Sequence, residues 1–175
     1  MSHDPRILIF TGDGKGKTTA ALGMALRASG HGMRVCILQF IKNDATTGEL
    51  AAAADMAHID IIQTGQGFLP KPGDARMAGH RAAAVEALHR AEEIIAGGEY
   101  PVIILDEICV AVSRGLLEEP RVIEVLAKAR PEACIVLTGR DAPPGLVALA
   151  DTVTEMRVVK HGYHAGRKAQ KGVEW

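Results

Sequence analysis

The run Thr11-Gly12-Asp13-Gly14-Lys15-Gly16-Lys17-Thr18-Thr19 lies between an apolar, strand-like stretch at residues 7–11 and an Ala-rich segment at about 17–29. A glycine-rich turn in that setting constrains the fold more than any other feature, because the chain must leave a strand, curl on itself and open a helix. Glycines let successive backbone N–H groups turn inward toward phosphate oxygens, and the following helix adds its positive N-terminal end. Lys17 is placed to neutralise phosphate charge. Thr18 is placed to offer its hydroxyl to a magnesium ion, with Thr19 as the neighbouring candidate. Gly12, Asp13, Gly14, Lys15, Gly16, Lys17, Thr18 and Thr19 are thus the expected contacts to a nucleoside triphosphate.

The usual spacing of such loops puts a glycine five residues ahead of the Gly of Gly-Lys-Thr. Here that position is Thr11, and Gly12 comes one residue late. The shortened turn keeps a dense set of amide donors. It is expected to hold phosphates in a register different from that of an ordinary ATPase.

Apolar strand-like runs alternate with helix-like segments along the chain, the pattern of a mostly parallel sheet covered by helices. Six strands are expected, at residues 7–11, 34–41, 59–64, 102–105, 133–137 and near 152–159. Gly30 and Gly32 end the first helix, and an Ala-rich helix is expected around 49–56. A long helix is expected from about 74 to 96, where Val85, Leu88, Ile94, Ile95 and several alanines form an apolar stripe before Gly97-Gly98. The fold class is α/β, with about six strands, helices on both faces and the RecA-like arrangement of phosphate-loop NTPases. A chain of 175 residues, 47% hydrophobic, buries enough core for one domain over 1–175, with a basic tail at about 160–175.

A formal charge of −1 argues against a broad electrostatic footprint for nucleic acid or an anionic membrane. Aromatic residues make up only 3% of the chain, which weakens recognition of single strands by base stacking and singles out Phe40, Phe68, Tyr163 and Trp175. No apolar run spans a bilayer and the N-terminus lacks a signal peptide's apolar centre, so the expected location is the cytoplasm. Cys36, Cys109 and Cys134 form no Cys-x-x-Cys pair and suggest neither zinc nor a disulfide framework. Cys36 and Cys134 lie in strand-like runs as small core residues, whereas Cys109 follows an acidic pair. His3, His31, His58, His80, His89 and His164 show no metal spacing and are expected at the surface.

That acidic pair, Asp106-Glu107, sits at the end of the continuously apolar fourth strand. An acid there, beside a phosphate loop, holds magnesium directly or through water. The alternative for either residue is a helix N-terminal acid favoured by the helix dipole. Arg140 follows Thr138-Gly139 at the end of the fifth strand, where loops gather at the ligand edge, and is an expected nucleotide contact. Lys42 after the second strand, and Lys160, Arg167, Lys168 and Lys171 of the tail, either close over triphosphate or form a solvated charge run.

Several blocks, in order, carry a resemblance beyond the phosphate loop. They are TGDGKGKTTAALG at 11–23, QFIK at 39–42 with Gly48-Glu49, GQGF at 65–68, LDE at 105–107, LTGRDAP at 137–143, ADTVTEM at 150–156, Lys160-His161 and GRKAQKGVE at 166–174. Over nearly its full length the chain resembles the ATP:corrinoid adenosyltransferases of the phosphate-loop type. The resemblance implies that the 5′-carbon of ATP is joined to the cobalt of a reduced corrinoid, releasing triphosphate, in adenosylcobalamin biosynthesis or salvage. It implies ATP held in reverse relative to other phosphate-loop proteins, and Mg2+ as the cofactor, with Mn2+ as its alternative. A homodimer and an electron donor such as a flavoprotein are implied as partners. Lys17, Thr18 and Glu107 are the implied catalytic residues; Thr18 and Glu107 are the implied metal ligands, with Asp106 as outer partner or substitute.

Phe68 matches an aromatic that the family places near the corrinoid. Relatives commonly continue with Thr-Trp-Glu, whereas this chain reads Leu69-Pro70-Lys71-Pro72, so Leu69 and Pro70 are expected to shape a different apolar wall. His161 is not expected to bind cobalt, because a lower ligand hinders reduction to cobalt(I). Two other classes remain open: a phosphate-loop small-molecule kinase, which yields ADP, and a non-catalytic ATP-binding regulatory protein.

Overall fold

The computed structural model describes residues 4–71 and 73–174. His3, Pro72 and Trp175, named above, lie outside the described residues. The strands are β1 (Arg6–Thr11), β2 (Val35–Gln39), β3 (Ile59–Gln63), β4 (Val102–Asp106), β5 (Cys134–Thr138) and β6 (Thr152–Glu155). The helices are α1 (Lys17–Gly30), α2 (Gly48–Ala54), α3 (Met77–Gly97), α4 (Ile108–Ser113), α5 (Glu119–Leu126) and α6 (Pro144–Leu149), with a short 3-10 turn at Gly162–Ala165.

All six strands form one sheet in the order β3-β2-β4-β5-β1-β6, and every pairing is parallel. Both faces are covered, and so the central strands are continuously apolar. Side chains alternate between the faces. Val35, Ile37, Val102, Ile104 and Val136 pack with Ala21, Ala25 and Ala28 of α1 and Ala53 of α2. Cys36, Leu38, Ile103, Leu105, Ile135 and Leu137 pack against apolar residues of α3, α4, α5 and α6 on the other face. Alanines at the contacts let α1 and α3 lie close to the sheet, and Cys36 and Cys109 are buried as small core residues.

Register decides what meets at the carboxyl edge. Gln39 pairs with Asp106, Leu105 with Leu137, and Phe10 with Thr138. The ends of β2, β4, β5 and β1 therefore converge where the glycine-rich loop leaves β1.

Several boundaries differ from those read in the sequence. β2 stops at Gln39, the last residue paired with β4; the Phe40 N–H closes that pair by donating to the carbonyl of Asp106 at 3.0 Å, and residues 40–41 lie beyond the strand. β6 stops at Glu155 and its apolar continuation, Val158 and Val159, is exposed. α3 begins at Met77, because the Asp74 carboxylate accepts the Arg76 N–H at 2.9 Å and holds residues 74–76 in a turn. His80, expected at the surface, is buried, since it shares the face of α3 that carries Ala84, Ala87 and Leu88. The sequence reading did not anticipate α4, α5 and α6, which have six, eight and six residues.

Candidate active site

The late glycine of the loop has a structural reason. Thr11 continues β1 and pairs with Glu155 of β6, while its hydroxyl accepts the Ala142 N–H at 3.2 Å. The turn therefore opens at Gly12 (φ 92°) and closes at Gly16 (φ 111°). Met156, just past β6, braces it: its N–H donates to the Thr11 carbonyl at 2.8 Å and its carbonyl accepts the Gly14 N–H at 2.7 Å. A Cβ at Gly12 or Gly14 would stand 2.5 or 2.7 Å from that carbonyl oxygen, too close for any side chain. These glycines thus serve the contact with β6 as well as the turn.

Lys17 opens α1 and folds back over the loop, its Nζ donating to the carbonyls of Gly12 at 2.6 Å and Gly14 at 2.7 Å. Burial pushes its pKa below the ordinary 10.5; the Glu107 charge opposes this and Arg140 adds to it. Thr18 turns inward and donates to Oδ1 of Asp106 at 2.8 Å, while Thr19 is exposed.

Asp106 is fully buried and richly bonded. Thr138 also donates to its Oδ1, at 2.7 Å, and Gln39 donates to its Oδ2 at 3.3 Å. The Lys42 ammonium lies 3.6 Å from Oδ2 and donates to Glu49 at 2.9 Å. Burial pushes the Lys42 pKa down, but Asp106 and Glu49 outweigh it and hold it above its ordinary value. Lys42 thus belongs to the acid cluster. Gln39, Glu49 and Thr138 were missed as site residues by the sequence reading, although each lies in a quoted block; strand register brings Gln39 and Thr138 to Asp106, and the packing of α2 brings Glu49 to Lys42.

Glu107 is built differently. It adopts a left-handed backbone (φ 64°, ψ 18°), and its N–H donates to the Thr138 hydroxyl at 2.9 Å. Burial, and then the charge of Asp106, push its carboxyl above the ordinary 4.5, while Lys17, Lys42 and Arg140 pull it down. Among the described residues no side-chain or backbone donor bonds this carboxyl, and burial is the largest influence on it.

The remaining expected residues surround the loop. Exposed Asp13 pairs with Arg140 at 4.0 Å. Lys15 reaches the tail, donating to the Val173 carbonyl at 2.6 Å with the Glu174 carboxylate 3.8 Å away. A cleft of about 580 Å³ opens beside the loop, lined by Arg140, Arg157, His161, Tyr163 and His164 among others. His161 Nδ1 accepts the Tyr163 N–H at 3.2 Å. Lys160, Arg167, Lys168 and Lys171 are exposed. Past β3, Gly67 (φ 87°) donates to the Ile41 carbonyl at 2.8 Å, and Phe68 beside it is fully exposed. Leu69 packs against the core and Pro70 is buried, whereas Phe68 turns its ring to solvent.

Comparison with known proteins agrees with the geometry. Residues 3–175 match the family model described as ATP:corrinoid adenosyltransferase BtuR/CobO/CobP. The corrinoid adenosyltransferase of Pseudomonas aeruginosa is 42% identical over 171 residues, which is 97% of this chain and 83% of that protein. The corrinoid adenosyltransferase CobA of Salmonella typhimurium is 36% identical, over 97% of this chain and 85% of that protein. The corrinoid adenosyltransferase of Escherichia coli K12 is 35% identical with the same two coverages. Among solved structures, the flagellar accessory protein FlaH from Methanocaldococcus jannaschii superposes with a TM-score of 0.54 at 11% identity, covering 89% of this chain and 72% of that one. That last likeness concerns fold alone. The phosphate loop facing an acid-ended strand, and the match over nearly the whole length, lead to one conclusion: this chain belongs to the ATP:corrinoid adenosyltransferase family and is an enzyme of that class.

Proposed function

We propose that the chain acts as a single nucleotide-binding unit that holds the triphosphate of ATP in the Gly12–Thr19 loop and presents the 5′-carbon to a reduced corrinoid. The observation that carries this reading is the placement of Lys17 and Thr18 opposite the Asp106-Glu107 pair. In the reaction, the electron pair of cobalt(I) forms the Co–C5′ bond, and the C5′–O pair leaves with triphosphate. Cobalt(I) is itself the nucleophile, so the protein's tasks are alignment, charge stabilisation and exclusion of water. Lys17, held at the loop by two carbonyls, needs only to exchange those acceptors for phosphate oxygens.

The donor set suits Mg2+, or Mn2+. Both oxygens of Asp106 are engaged, whereas the Glu107 carboxyl is destabilised by burial and gains from a cation. The Thr18 hydroxyl donates its hydrogen bond to Asp106 and keeps oxygen lone pairs for a metal. Thr18 and Glu107 would thus hold the ion, with Asp106 as outer partner. Bound there, it would offset the charge of the departing triphosphate. Such ions take few protein ligands when phosphates supply the rest.

Arg140 and the tail flank the triphosphate, and Phe68 faces the corrinoid. No helix among the described residues is long and apolar enough to cross a membrane, which supports a cytoplasmic enzyme. The same reading carries a homodimer and a flavoprotein-class reductant that makes cobalt(I).

The test is anaerobic incubation with Mg-ATP and chemically reduced cob(I)alamin, following the visible spectrum and identifying the phosphate product. Adenosylcobalamin with intact triphosphate is the expected result. ADP would point to a kinase, and ATP binding with no change in the corrinoid would point to a regulatory protein.

A further inference from the structure

One hydroxyl links the two acids. Thr138, fully buried at the end of β5, donates to Asp106 Oδ1 at 2.7 Å and accepts the Glu107 N–H at 2.9 Å. A hydroxyl can do both at once; a methyl group of the same size can do neither. The residue it holds, Glu107, has a backbone that L side chains rarely adopt, and such a conformation persists only where the surroundings over-determine it. With φ in the right-handed region Glu107 would simply extend α4 by one residue, and its carboxylate would project in another direction.

Gly139 makes the link reachable. Its φ is 137°, and a Cβ there would stand 2.8 Å from the Val110 nitrogen and 2.9 Å from the Cys109 Cβ. The end of β5 can therefore press against the first turn of α4, which brings the Thr138 hydroxyl to the Glu107 N–H.

We propose that Thr138 is a positioning residue: its hydroxyl fixes the Glu107 backbone so that this carboxylate, rather than Asp106, meets the metal of the metal–ATP complex. The inference rests on the reading of Glu107 as a metal ligand. It assigns Thr138 no contact with substrate.

The test uses full-length protein with ATP and no corrinoid, so that nothing turns over, and measures Mn2+ binding by electron paramagnetic resonance. Thr138→Val should weaken Mn2+ binding about 10–100-fold, the range for loss of a partner that orients a metal ligand. Thr138→Ser restores the hydroxyl and should bind within about threefold of wild type on the same reasoning. Thr138→Ala, which also lacks the hydroxyl and needs less room, serves if the valine variant does not fold. Glu107→Gln is titrated alongside. If it loses affinity while Thr138→Val and Thr138→Ala do not, the positioning role is overturned and the metal reading stands. If Ser loses as much as Val, Thr138 acts through shape and the proposal fails. Wild-type affinity in Glu107→Gln overturns the metal reading itself.

Discussion

The Thr18 hydroxyl donates to Oδ1 of Asp106 at 2.8 Å, joining the helix that closes the phosphate loop to the end of β4. Thr138 adds a second hydroxyl to the same oxygen, and Lys42 lies 3.6 Å from the other. Asp106→Ala leaves Thr18, Thr138 and Gln39 without this acceptor and Lys42 with Glu49 alone, and should destabilise the protein by about 3 kcal/mol, the lower end for breaking a buried pair because Lys42 is partly exposed. Asp106→Asn keeps one acceptor oxygen and should cost less, about 1–2 kcal/mol. Urea unfolding of the two variants measures the difference. Equal midpoints for Ala and Asn would show that the hydroxyl donors add nothing.

Glu107 gives a pH dependence of definite sign. Burial raises its folded pKa above the ordinary 4.5, so the folded state holds the proton more tightly than the unfolded chain. The contribution of Glu107 to stability is therefore greatest below 4.5, falls as pH rises from there through its folded pKa, and stays lower above it. Glu107→Gln removes this loss. Without nucleotide or metal, the variant should be more stable than wild type at neutral pH and equal to it below the carboxyl range. Urea unfolding at both pH values checks this; a variant less stable at neutral pH would mean that the ionised carboxylate is held by a favourable contact.

Much of this site was legible because its parts are local. The loop reads from its glycines and flanks, and Asp106-Glu107 reads from four apolar residues followed by two acids. What escaped depends on register or tertiary contact. Nothing near Thr138 in sequence indicates that it meets Asp106; that follows from Leu105 pairing with Leu137. Met156 looks like the middle of a strand, yet it leaves β6 to brace Gly14. α4 and α6 are too short for helical periodicity to stand out. His80 escaped because an imidazole adds no apolar signal to the stripe, although its position falls on the alanine face of α3.

Thr47 precedes α2 and is buried, and its Oγ1 finds no hydrogen-bond partner among the described residues. A hydroxyl taken from water without a partner costs about 1–3 kcal/mol, and Thr differs from Val only in that group. Thr47→Val should therefore raise stability by about 1 kcal/mol, seen as a higher thermal midpoint. A lower midpoint would show that the hydroxyl is bonded in solution, through water or as a cap on α2. The substitution lies outside the proposed triphosphate contacts, so the KM for ATP should not move.

Phe68 separates a packing role from a functional one because nothing in the fold depends on it. The ring is fully exposed, while Leu69 and Pro70 beside it anchor the loop to the core. Phe68→Ala should leave unfolding free energy within about 0.5 kcal/mol of wild type, as for surface substitutions in general. Its effect should appear in the reaction. At the corrinoid edge, where the proposed function puts it, an exposed aromatic would supply apolar surface that disfavours a polar lower ligand on cobalt, which matters most while cobalt(II) is being reduced on the enzyme. Activity with cob(II)alamin and a reductant should thus fall more than activity with chemically prereduced cob(I)alamin. Anaerobic assays of both substrates on the same preparation decide it: equal losses would place Phe68 in general corrinoid contact, and unchanged rates in both would leave it outside the site.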